Sequence, residues 1–268
     1  MTAVKIIIVL LVIYIFMICP RIFKKADRSP LKGRHYAHRG LFDNASESPE
    51  NSLSAFAKAV EAGYGIEFDV QLSKDDIPVI FHDATLKRMC GVEGNVWDYT
   101  LAELQSMKLA NSQETIPTLA QALEVINGKV PLIIEYKMDR PDVKVCELGN
   151  ELLKDYQGVY CMESFHPFAV RWYRFRRPDI VRGQLCMDYW KDEIYKKKPG
   201  FWLLGLMLTN FLARPDFIAF KHSDAGNLSR KLCRLLGGLS VAWTIKSKED
   251  YEKAKNQFDL FIFDSCRL

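Results

Sequence analysis

The sequence predicts an α/β fold in which about eight parallel strands alternate with helices and close into a (β/α)8 barrel, preceded by one N-terminal transmembrane helix. Strand-like and helix-like patterns alternate from residue 35 onward, which indicates a parallel sheet with helical crossovers. The chain has 268 residues, and a closed barrel of this kind takes about 250. We therefore expect two parts: an anchor with a basic juxtamembrane segment over residues 1–34, and a barrel domain over residues 35–268.

The first 34 residues predict a membrane anchor. Residues 6–19 read IIIVLLVIYIFMIC, and with Lys5 and the flanks about 20 residues could cross a bilayer core of about 30 Å. A cleaved signal peptide is the alternative, but no small-x-small cleavage site follows the apolar run. Lys and Arg are concentrated just after this run, so the positive-inside rule predicts a single-pass cell-membrane protein whose barrel domain lies in the cytoplasm.

Charge and cysteine content narrow the class of protein. The chain has a net charge of +4, and residues 1–34 contribute +6 of it, which leaves −2 for the barrel domain. A nearly neutral domain argues against nucleic-acid binding, which needs a basic surface. The seven cysteines are scattered without CxxC spacing, so they predict neither a disulfide framework nor a zinc site. They suit a reducing compartment.

Each element of the barrel has its own sequence signal. NSLSAFAKAVEAG (51–63) predicts a helix with Asn51 or Ser52 as its cap and Gly63 as its stop. Further helices are predicted at about 118–128, 142–156, 167–176, 227–236 and 247–256. The segments with strand character are HYAHRG (35–40), GIEFDVQLS (65–73), IPVIFHD (77–83), VPLIIEYK (130–137), GVYCMESF (158–165), DIVRGQLC (179–186), DFIAF (216–220), GLSVAWTI (238–245) and LFIFDS (260–265).

The segment EFDVQLSKDDIPVIFHD (67–83) gives the first indication of a functional site. Glu67 and Asp69 are two residues apart, so on a strand they share one face, about 7 Å apart along the chain. The residues beside them are apolar and take the opposite face. Taken alone, this pattern is also typical of a strand whose polar side faces solvent.

Similar polar residues occur at the ends of other predicted strands. In a barrel these ends carry the reactive groups, because the βα loops begin there. We therefore expect the side chains to converge on one rim, against the alternative that each is an ordinary surface residue or ion pair. The expected rim residues are His38 and Arg39 after the first strand, Glu67 and Asp69 on the second, His82 and Asp83 after the third, Glu135 and Lys137 after the fourth, and Trp243 on a later strand.

These residue types predict phosphodiester cleavage. Glu67, Asp69 and Glu135 would form an all-oxygen site, which favours Mg²⁺ or Ca²⁺ over zinc. Two histidines beside such a metal suit acid–base chemistry, in which one removes a proton and the other supplies one. Fixed positive charges nearby, on an Arg and a Lys, are what an anionic phosphoryl group requires. The spacing does not predict which histidine is the acid.

Five sequence blocks also carry a resemblance to a known family. AHRG (37–40), PENS (49–52), IEFDVQLSKDDIPVIFHD (66–83), IEYK (134–137) and VAWTI (241–245) together resemble the glycerophosphodiester phosphodiesterase family. The blocks occur in order over nearly the whole of the barrel domain. The resemblance implies a TIM barrel, a divalent metal, and hydrolysis of glycerophosphodiesters to glycerol 3-phosphate and an alcohol.

The resemblance also implies roles for particular residues. Catalysis would fall to the acid–base pair His38 and His82. The implied metal ligands are Glu67, Asp69 and Glu135, with Arg39 and Lys137 as phosphate contacts, Glu50 and Asn51 as supports of the ligands, and Trp243 as a wall of the glycerol pocket. Two departures from the family pattern, Glu163 and the lack of a Thr before Asp264, are expected to lie apart from this catalytic set.

The sequence leaves the substrate class open between small soluble glycerophosphodiesters and lipids, as for a lysophospholipase D or a phospholipase C. A non-catalytic membrane scaffold is a third alternative. Residues 201–212 bear on this choice, because they form a stretch of twelve residues without charge, too short to span a bilayer. We expect either a helix buried against the barrel or a loop that enters the membrane and guides lysophospholipid-like substrates to the histidines.

Overall fold

The computed structural model describes residues 2–138 and 142–268, and a closed barrel of parallel strands dominates it. The strands are β1 (His35–His38), β2 (Gly65–Leu72), β3 (Pro78–Ile80), β4 (Leu132–Tyr136), β5 (Tyr160–Ser164), β6 (Val181–Cys186), β7 (Phe217–Lys221), β8 (Leu239–Ile245) and β9 (Leu260–Phe263). All except β3 pair in parallel, and β1 pairs with both β9 and β2, which closes the barrel. The predicted (β/α)8 barrel is confirmed.

The strand β3 lies outside the barrel. It pairs antiparallel with β2, with Val70 opposite Ile80 and Leu72 opposite Pro78. Only a short turn joins the two strands, whereas a parallel connection needs a crossover of a dozen or more residues. The assignment of residues 77–83 as the third barrel strand is therefore wrong. The hairpin still delivers the next residues, His82 and Asp83, to the rim of the barrel.

The helices cover the outside of the barrel. They are α1 (Thr2–Ile18), α2 (Leu53–Glu61), α3 (Lys87–Cys90), α4 (Leu101–Ser106), α5 (Leu119–Ile126), α6 (Lys144–Leu153), α7 (Pro167–Arg176), α8 (Phe201–Gly205), α9 (Asn210–Ala213), α10 (Leu228–Leu235) and α11 (Lys248–Ala254). Several begin at a polar cap, as Ser52 shows by accepting a hydrogen bond from the Ala55 amide. Ser52, and not Asn51, is therefore the cap of α2.

Alternation along each strand separates an apolar barrel interior from a polar rim. Inward-facing residues near the middle of the strands form one buried cluster that includes Tyr36, Ile133, Cys161, Val241 and Ile262. Two residues further along the same strands, on the same face, are His38, Glu135, Glu163, Trp243 and Asp264. The strands' outward faces, with Phe68 and Ile134 among them, pack in the larger cluster beneath the helices. The period of two thus brings polar side chains together at the carboxyl ends of the strands.

The N-terminal helix does not fit the predicted membrane anchor. Helix α1 has 17 residues and is roughly 26 Å long at about 1.5 Å per residue, short of a hydrocarbon core of about 30 Å. Among residues 2–138 and 142–268, no helix combines the length and apolar character needed to cross a bilayer. The predicted single-pass anchor is therefore wrong, and the predicted cell-membrane localisation is contradicted with it.

The physical reason is that the last turn of α1 belongs to the folded body. Ile18 is fully buried, and its carbonyl accepts a hydrogen bond from Asn210 Nδ2 at 3.2 Å. The Tyr14 hydroxyl lies 2.8 Å from Ser229 Oγ. The anchor prediction placed this turn in the membrane because it rested on the local run of apolar residues. Tertiary contacts with distant helices are not visible in such a local pattern.

The basic segment that follows α1 and the apolar segment 201–212 also contact the rest of the folded protein. Arg28 Nη1 donates to the Gly237 carbonyl at 3.0 Å, so part of the basic segment is bound to protein. Residues 201–212 fold into α8 and α9, and α9 packs against α7 and α1. The buried-helix alternative thus describes α9, although Trp202 on α8 remains 44% exposed. No finding supports entry of this segment into a membrane.

A glycine in the barrel wall provides a test of this packing. A Cβ added at Gly183 on β6 would lie 2.0 Å from Cε2 of the buried Phe217 on the next strand. We expect Gly183→Ala to lower the free energy of unfolding by about 1–3 kcal/mol, because overpacking forces the ring out of place. Urea unfolding measures the change. Gly226→Ala is the matched control, since nothing lies within 4 Å of its added Cβ; equal stability of the two variants would contradict the contact.

Candidate active site

Strand register brings the predicted reactive residues together. His38 on β1 pairs with Glu67 on β2, Asp69 on β2 pairs with Glu135 on β4, and Glu135 pairs with Glu163 on β5. A cavity of about 440 Å³ opens at this end of the barrel. The predicted site residues that line it are His38, Arg39, Glu67, His82, Glu135, Lys137 and Trp243. The other predicted residues, Asp69, Glu50 and Asn51, contact the lining residues instead.

Three buried carboxylates form a group that could hold a metal ion. One oxygen from each of Glu67, Asp69 and Glu135 lies within 4.8 Å of the others. Oxygen ligands bind Mg²⁺ or Ca²⁺ at about 2.0–2.6 Å, so two ligands of one ion are at most about 5 Å apart. The group therefore fits a hard cation. In this structure the ammonium of Lys137 lies beside the carboxylates, with Nζ 2.9 Å from Asp69 Oδ1 and 2.8 Å from Glu135 Oε1.

The electrostatics of this group favour a bound cation. Burial and the charges of Asp69 and Glu135 raise the pKa of Glu67 well above its usual range. Burial also raises the pKa of Glu135, although Lys137 opposes the shift. Burial acts in the same direction on Asp69, but Lys137, His82 and Arg39 outweigh it and hold its pKa well below the ordinary value. Closely spaced carboxylates repel one another in a low-dielectric site, and a divalent cation would remove that repulsion.

His38 is held by a carboxylate that was not among the predicted site residues, Asp264. Its Nδ1 lies 3.0 Å from Asp264 Oδ2, and its Nε2 lies 3.9 Å from Glu67 Oε2. An ionised carboxylate only accepts hydrogen bonds, so Nδ1 carries the hydrogen and Nε2 is the free basic nitrogen. Burial lowers the pKa of His38, with Asp264 opposing the shift. Asp264 was not among the predicted site residues, and the structure places it against His38.

The second histidine is connected to an ionic network. His82 Nδ1 lies 2.6 Å from Asp83 Oδ1. Arg88, on α3, donates from Nε to Asp83 Oδ2 at 2.6 Å and from Nη2 to Glu50 Oε1 at 2.7 Å. Glu50 also binds Arg39 Nη1 at 2.7 Å. Sequence reasoning missed Arg88, because nothing in its local sequence distinguishes it from a surface arginine of a short helix.

Asn51 hydrogen-bonds one of the three carboxylates. Its Nδ2 donates to Asp69 Oδ2 at 2.9 Å, and its backbone amide donates to the Arg39 carbonyl at 2.9 Å. Asn51 and Arg39 both have a positive φ, near +60°, a strained conformation for residues with a side chain. The strain aims the Arg39 amide at Glu67 Oε2, which it reaches at 3.2 Å. Local backbone geometry therefore fixes two of the three candidate ligands.

The deep side of the cavity combines an acid with an aromatic wall. Glu163 lines it and is almost fully buried, and its Oε2 makes no hydrogen bond within the described part of the chain. Burial and the charge of Glu135 raise its pKa well above the usual range. Trp243 packs edge-on against Phe165 with ring centroids 5.6 Å apart. Glu163 thus belongs to the site, although the sequence analysis placed it outside.

Comparisons with known proteins show which family this chain resembles. Residues 38–193 match the Glycerophosphoryl diester phosphodiesterase family. The chain is 29% identical over 235 residues to a glycerophosphodiester phosphodiesterase of Caldanaerobacter subterraneus subsp. tengcongensis, covering 81% of this chain and 87% of that protein. It is 30% identical over 156 residues to a lysophospholipase D of Rattus norvegicus, covering 53% of this chain and 48% of that protein.

A solved structure shares both fold and sequence with this chain. It is an Oleispira antarctica phosphodiesterase in complex with the product sn-glycerol-3-phosphate, with a TM-score of 0.71 and 28% identity over 88% of this chain and 94% of that one. Fold, site and relatives together define a phosphoric diester hydrolase built on a TIM barrel. The chain belongs to the glycerophosphoryl diester phosphodiesterase family. The alternative of a non-catalytic scaffold is thereby rejected.

The network around Glu50 yields a pH-dependent test of stability. Burial acts to raise the pKa of Glu50, but Arg88, Arg39 and Asn44 outweigh it and lower it to about 2. A depressed carboxyl pKa stabilises the fold above the unfolded-state value of about 4.3, and that stability is lost as pH falls towards about 2. We expect Arg88→Met to lower the free energy of unfolding by about 1–3 kcal/mol at pH 7, and by less at pH 3. The loss at pH 7 stays moderate because solvent screens the ion pairs of the half-exposed Arg88 guanidinium.

Urea unfolding at the two pH values measures this cost. Lys87→Met is the matched control, because the adjacent Lys87 pairs with Glu93 and both side chains are exposed. It should change the free energy of unfolding by less than about 1 kcal/mol at either pH. A loss in Arg88→Met that is the same at pH 3 and pH 7 would show that the ionised Glu50 is not its cause.

Proposed function

We propose that the protein hydrolyses glycerophosphodiesters to glycerol 3-phosphate and an alcohol in a reaction that depends on a divalent metal, with His38 and His82 as the acid–base pair. One observation carries the proposal: both histidines line the same cavity as two of the clustered carboxylates. Each histidine also has its Nδ1 beside an aspartate, which leaves Nε2 for proton transfer. This combination matches general acid–base catalysis beside a Lewis acid.

The residues that would hold the metal are Glu67, Asp69 and Glu135. Their all-oxygen donor set and their spacing fit Mg²⁺ or Ca²⁺. When bound, the ion would polarise a phosphoryl oxygen and offset the negative charge that develops there. Mutual repulsion among the buried carboxylates provides the driving force for taking up a cation.

The chain's own residues would divide the remaining work. His38 suits the base, because burial lowers its pKa and Nε2 can accept the proton of an attacking hydroxyl. Asp264 would hold the resulting imidazolium in place, as a positioning carboxylate does. His82, oriented by Asp83, would return a proton to the leaving alcohol. The attacking hydroxyl belongs either to water, which gives glycerol 3-phosphate directly, or to the glycerol of the substrate. In the second case a cyclic glycerol phosphate forms, and water must then open the ring to give glycerol 3-phosphate.

Substrate binding would use charge on one side of the cavity and apolar surface on the other. Arg39 and Lys137 line the cavity and bring positive charge to a phosphoryl group. Their present partners are carboxylates, with Lys137 bound to Asp69 and Glu135. Trp243 would contact the glycerol carbons. A lysophospholipase D activity is the second candidate, because the rat relative carries that name and matches half of this chain.

Metal removal tests the proposed metal dependence, and a comparison of two substrates in the same assay separates the two substrate classes. We expect excess EDTA to abolish hydrolysis of glycerophosphocholine by the purified protein, and Mg²⁺ or Ca²⁺ to restore it. The same assay with lysophosphatidylcholine decides between the candidates by the ratio of kcat/KM values. Glu67→Gln should weaken metal affinity, measured by calorimetry, while the protein stays folded. Full activity in excess chelator would refute the metal dependence.

Substitution of the histidines tests the acid–base assignment. His38→Ala and His82→Ala should each lower kcat by about 10²- to 10⁴-fold, the usual contribution of a general acid or base. Both variants should melt close to the wild-type protein, since the two side chains line a cavity. His166→Ala is the control, because His166 caps α7 and is not among the lining residues. Near-normal turnover in both cavity variants would show that the assignment is wrong.

A further inference from the structure

A second cleft lies at the end of the barrel opposite the active site. It has a volume of about 560 Å³ and is formed by the end of α1, residues 20–24 and the residues that precede β6 and β7. Because these residues come before strands, they lie at the amino ends of the strands, away from the catalytic rim. Five lining residues are cations: Arg21, Lys24, Arg174, Arg182 and Arg214.

The positive charge of this cleft is only partly compensated. Asp216 is the carboxylate close to Arg21 and Arg182, with Oδ1 3.0 Å from Arg21 Nε and Oδ2 3.9 Å from Arg182 Nη1. Within residues 2–138 and 142–268, neither Arg174 nor Arg214 forms an ion pair; both donate to backbone carbonyls instead. The cleft therefore carries an excess of positive charge.

Two guanidinium groups beside the cleft have buried nitrogens without a hydrogen-bond partner among the described residues. Arg182 is only 2% exposed, and its Nη1 makes no hydrogen bond with any described residue. The same holds for Nη2 of Arg21, which is 8% exposed. Oδ1 of Asp216, 3.0 Å from Arg21 Nε, also makes no hydrogen bond with a described residue. Leaving buried charged groups unpaired is costly, so Asp216 is the acceptor that these two guanidinium groups face.

The cations also repel one another. Burial, Arg21 and Arg174 lower the pKa of Arg182 to about 10, although Asp216 opposes the shift. Burial and the neighbouring Arg214 lower the pKa of Arg174. Both shifts have the sign expected for crowded positive charges. A bound anion would relieve this repulsion.

Apolar side chains border the cations. Phe16, Ile22 and Phe23 line the cleft and are exposed, and Phe23 is 79% exposed. A free inorganic anion would use the guanidinium groups but leave this apolar surface in water. An alkyl chain attached to the anion would cover both surfaces.

We propose that this cleft binds an anionic amphiphile, a molecule with one phosphate head group and an alkyl chain. The head group binds Arg174 and Arg214, the two lining arginines without an ion pair among the described residues, and the chain lies along Phe16, Ile22 and Phe23. The site is separate from the catalytic cavity and does not depend on the hydrolytic reaction.

Titration calorimetry with the full chain tests the proposal, with dodecyl phosphate below its critical micelle concentration as the probe. Dodecyl maltoside and inorganic phosphate are the comparison ligands, since exposed apolar residues of α1 could bind any alkyl chain. We expect dodecyl phosphate to bind at least about tenfold more tightly than either, because a charged hydrogen bond and apolar burial then act together. Equal binding of maltoside would overturn head-group recognition, and equal binding of inorganic phosphate would overturn the role of the chain.

Two substitutions locate the site. Arg174→Gln and Phe23→Ser should each weaken dodecyl phosphate binding several-fold. Arg171→Gln is the control and should not weaken it, because Arg171 lies on α7 like Arg174 but is exposed and does not line the cleft. All three variants should retain wild-type diesterase activity, because none of these residues lines the catalytic cavity. Unchanged dodecyl phosphate affinity in both cleft variants would overturn the assignment, whatever the protein hydrolyses.

Discussion

The constraint on which the catalytic end of this barrel depends is the placement of four acidic side chains on three adjacent strands. Glu67, Asp69, Glu135 and Glu163 are all buried, and strand register makes them neighbours. In a low-dielectric interior such a group is stable only if protons or cations compensate its charge. Lys137 provides part of that compensation. The remaining negative charge is what a divalent cation bound there would compensate.

The surrounding residues hold this acidic group and the two histidines in place. Asn51 fixes Asp69, the strained Arg39 backbone binds Glu67, and Asp264 orients His38. Arg88 bridges Asp83 and Glu50, so the orientation of His82 is coupled to the residues around Arg39. The opposite end of the barrel has crowded arginines beside the buried Asp216. The two ends of one barrel therefore differ in the charged groups that they cluster.

Local sequence patterns contained most of the fold and much of the site. Strands and helices alternate visibly, and the period of two in EFDV already separates Glu67 and Asp69 from the apolar face. Because βα loops begin where parallel strands end, the polar residues at those positions could be assigned to one rim. Predictions from local patterns failed where an apolar segment could be buried either by lipid or by other parts of the protein. The apolar run of α1 resembled a membrane span, yet its last residue, Ile18, is buried by protein.

The sequence by itself therefore determined the barrel, its family and a set of residues at the strand ends. Only the tertiary structure decided that β3 lies outside the barrel, that Asp264 holds His38, and that Arg88 connects Asp83 to Glu50. It also decided that Glu163 belongs to the cavity, through its register with Glu135. The physical reason is distance along the chain. Hydrophobic periodicity and turn chemistry act between near neighbours, whereas the partners of His38 and Glu50 are 226 and 38 residues away in sequence and meet only when the barrel closes.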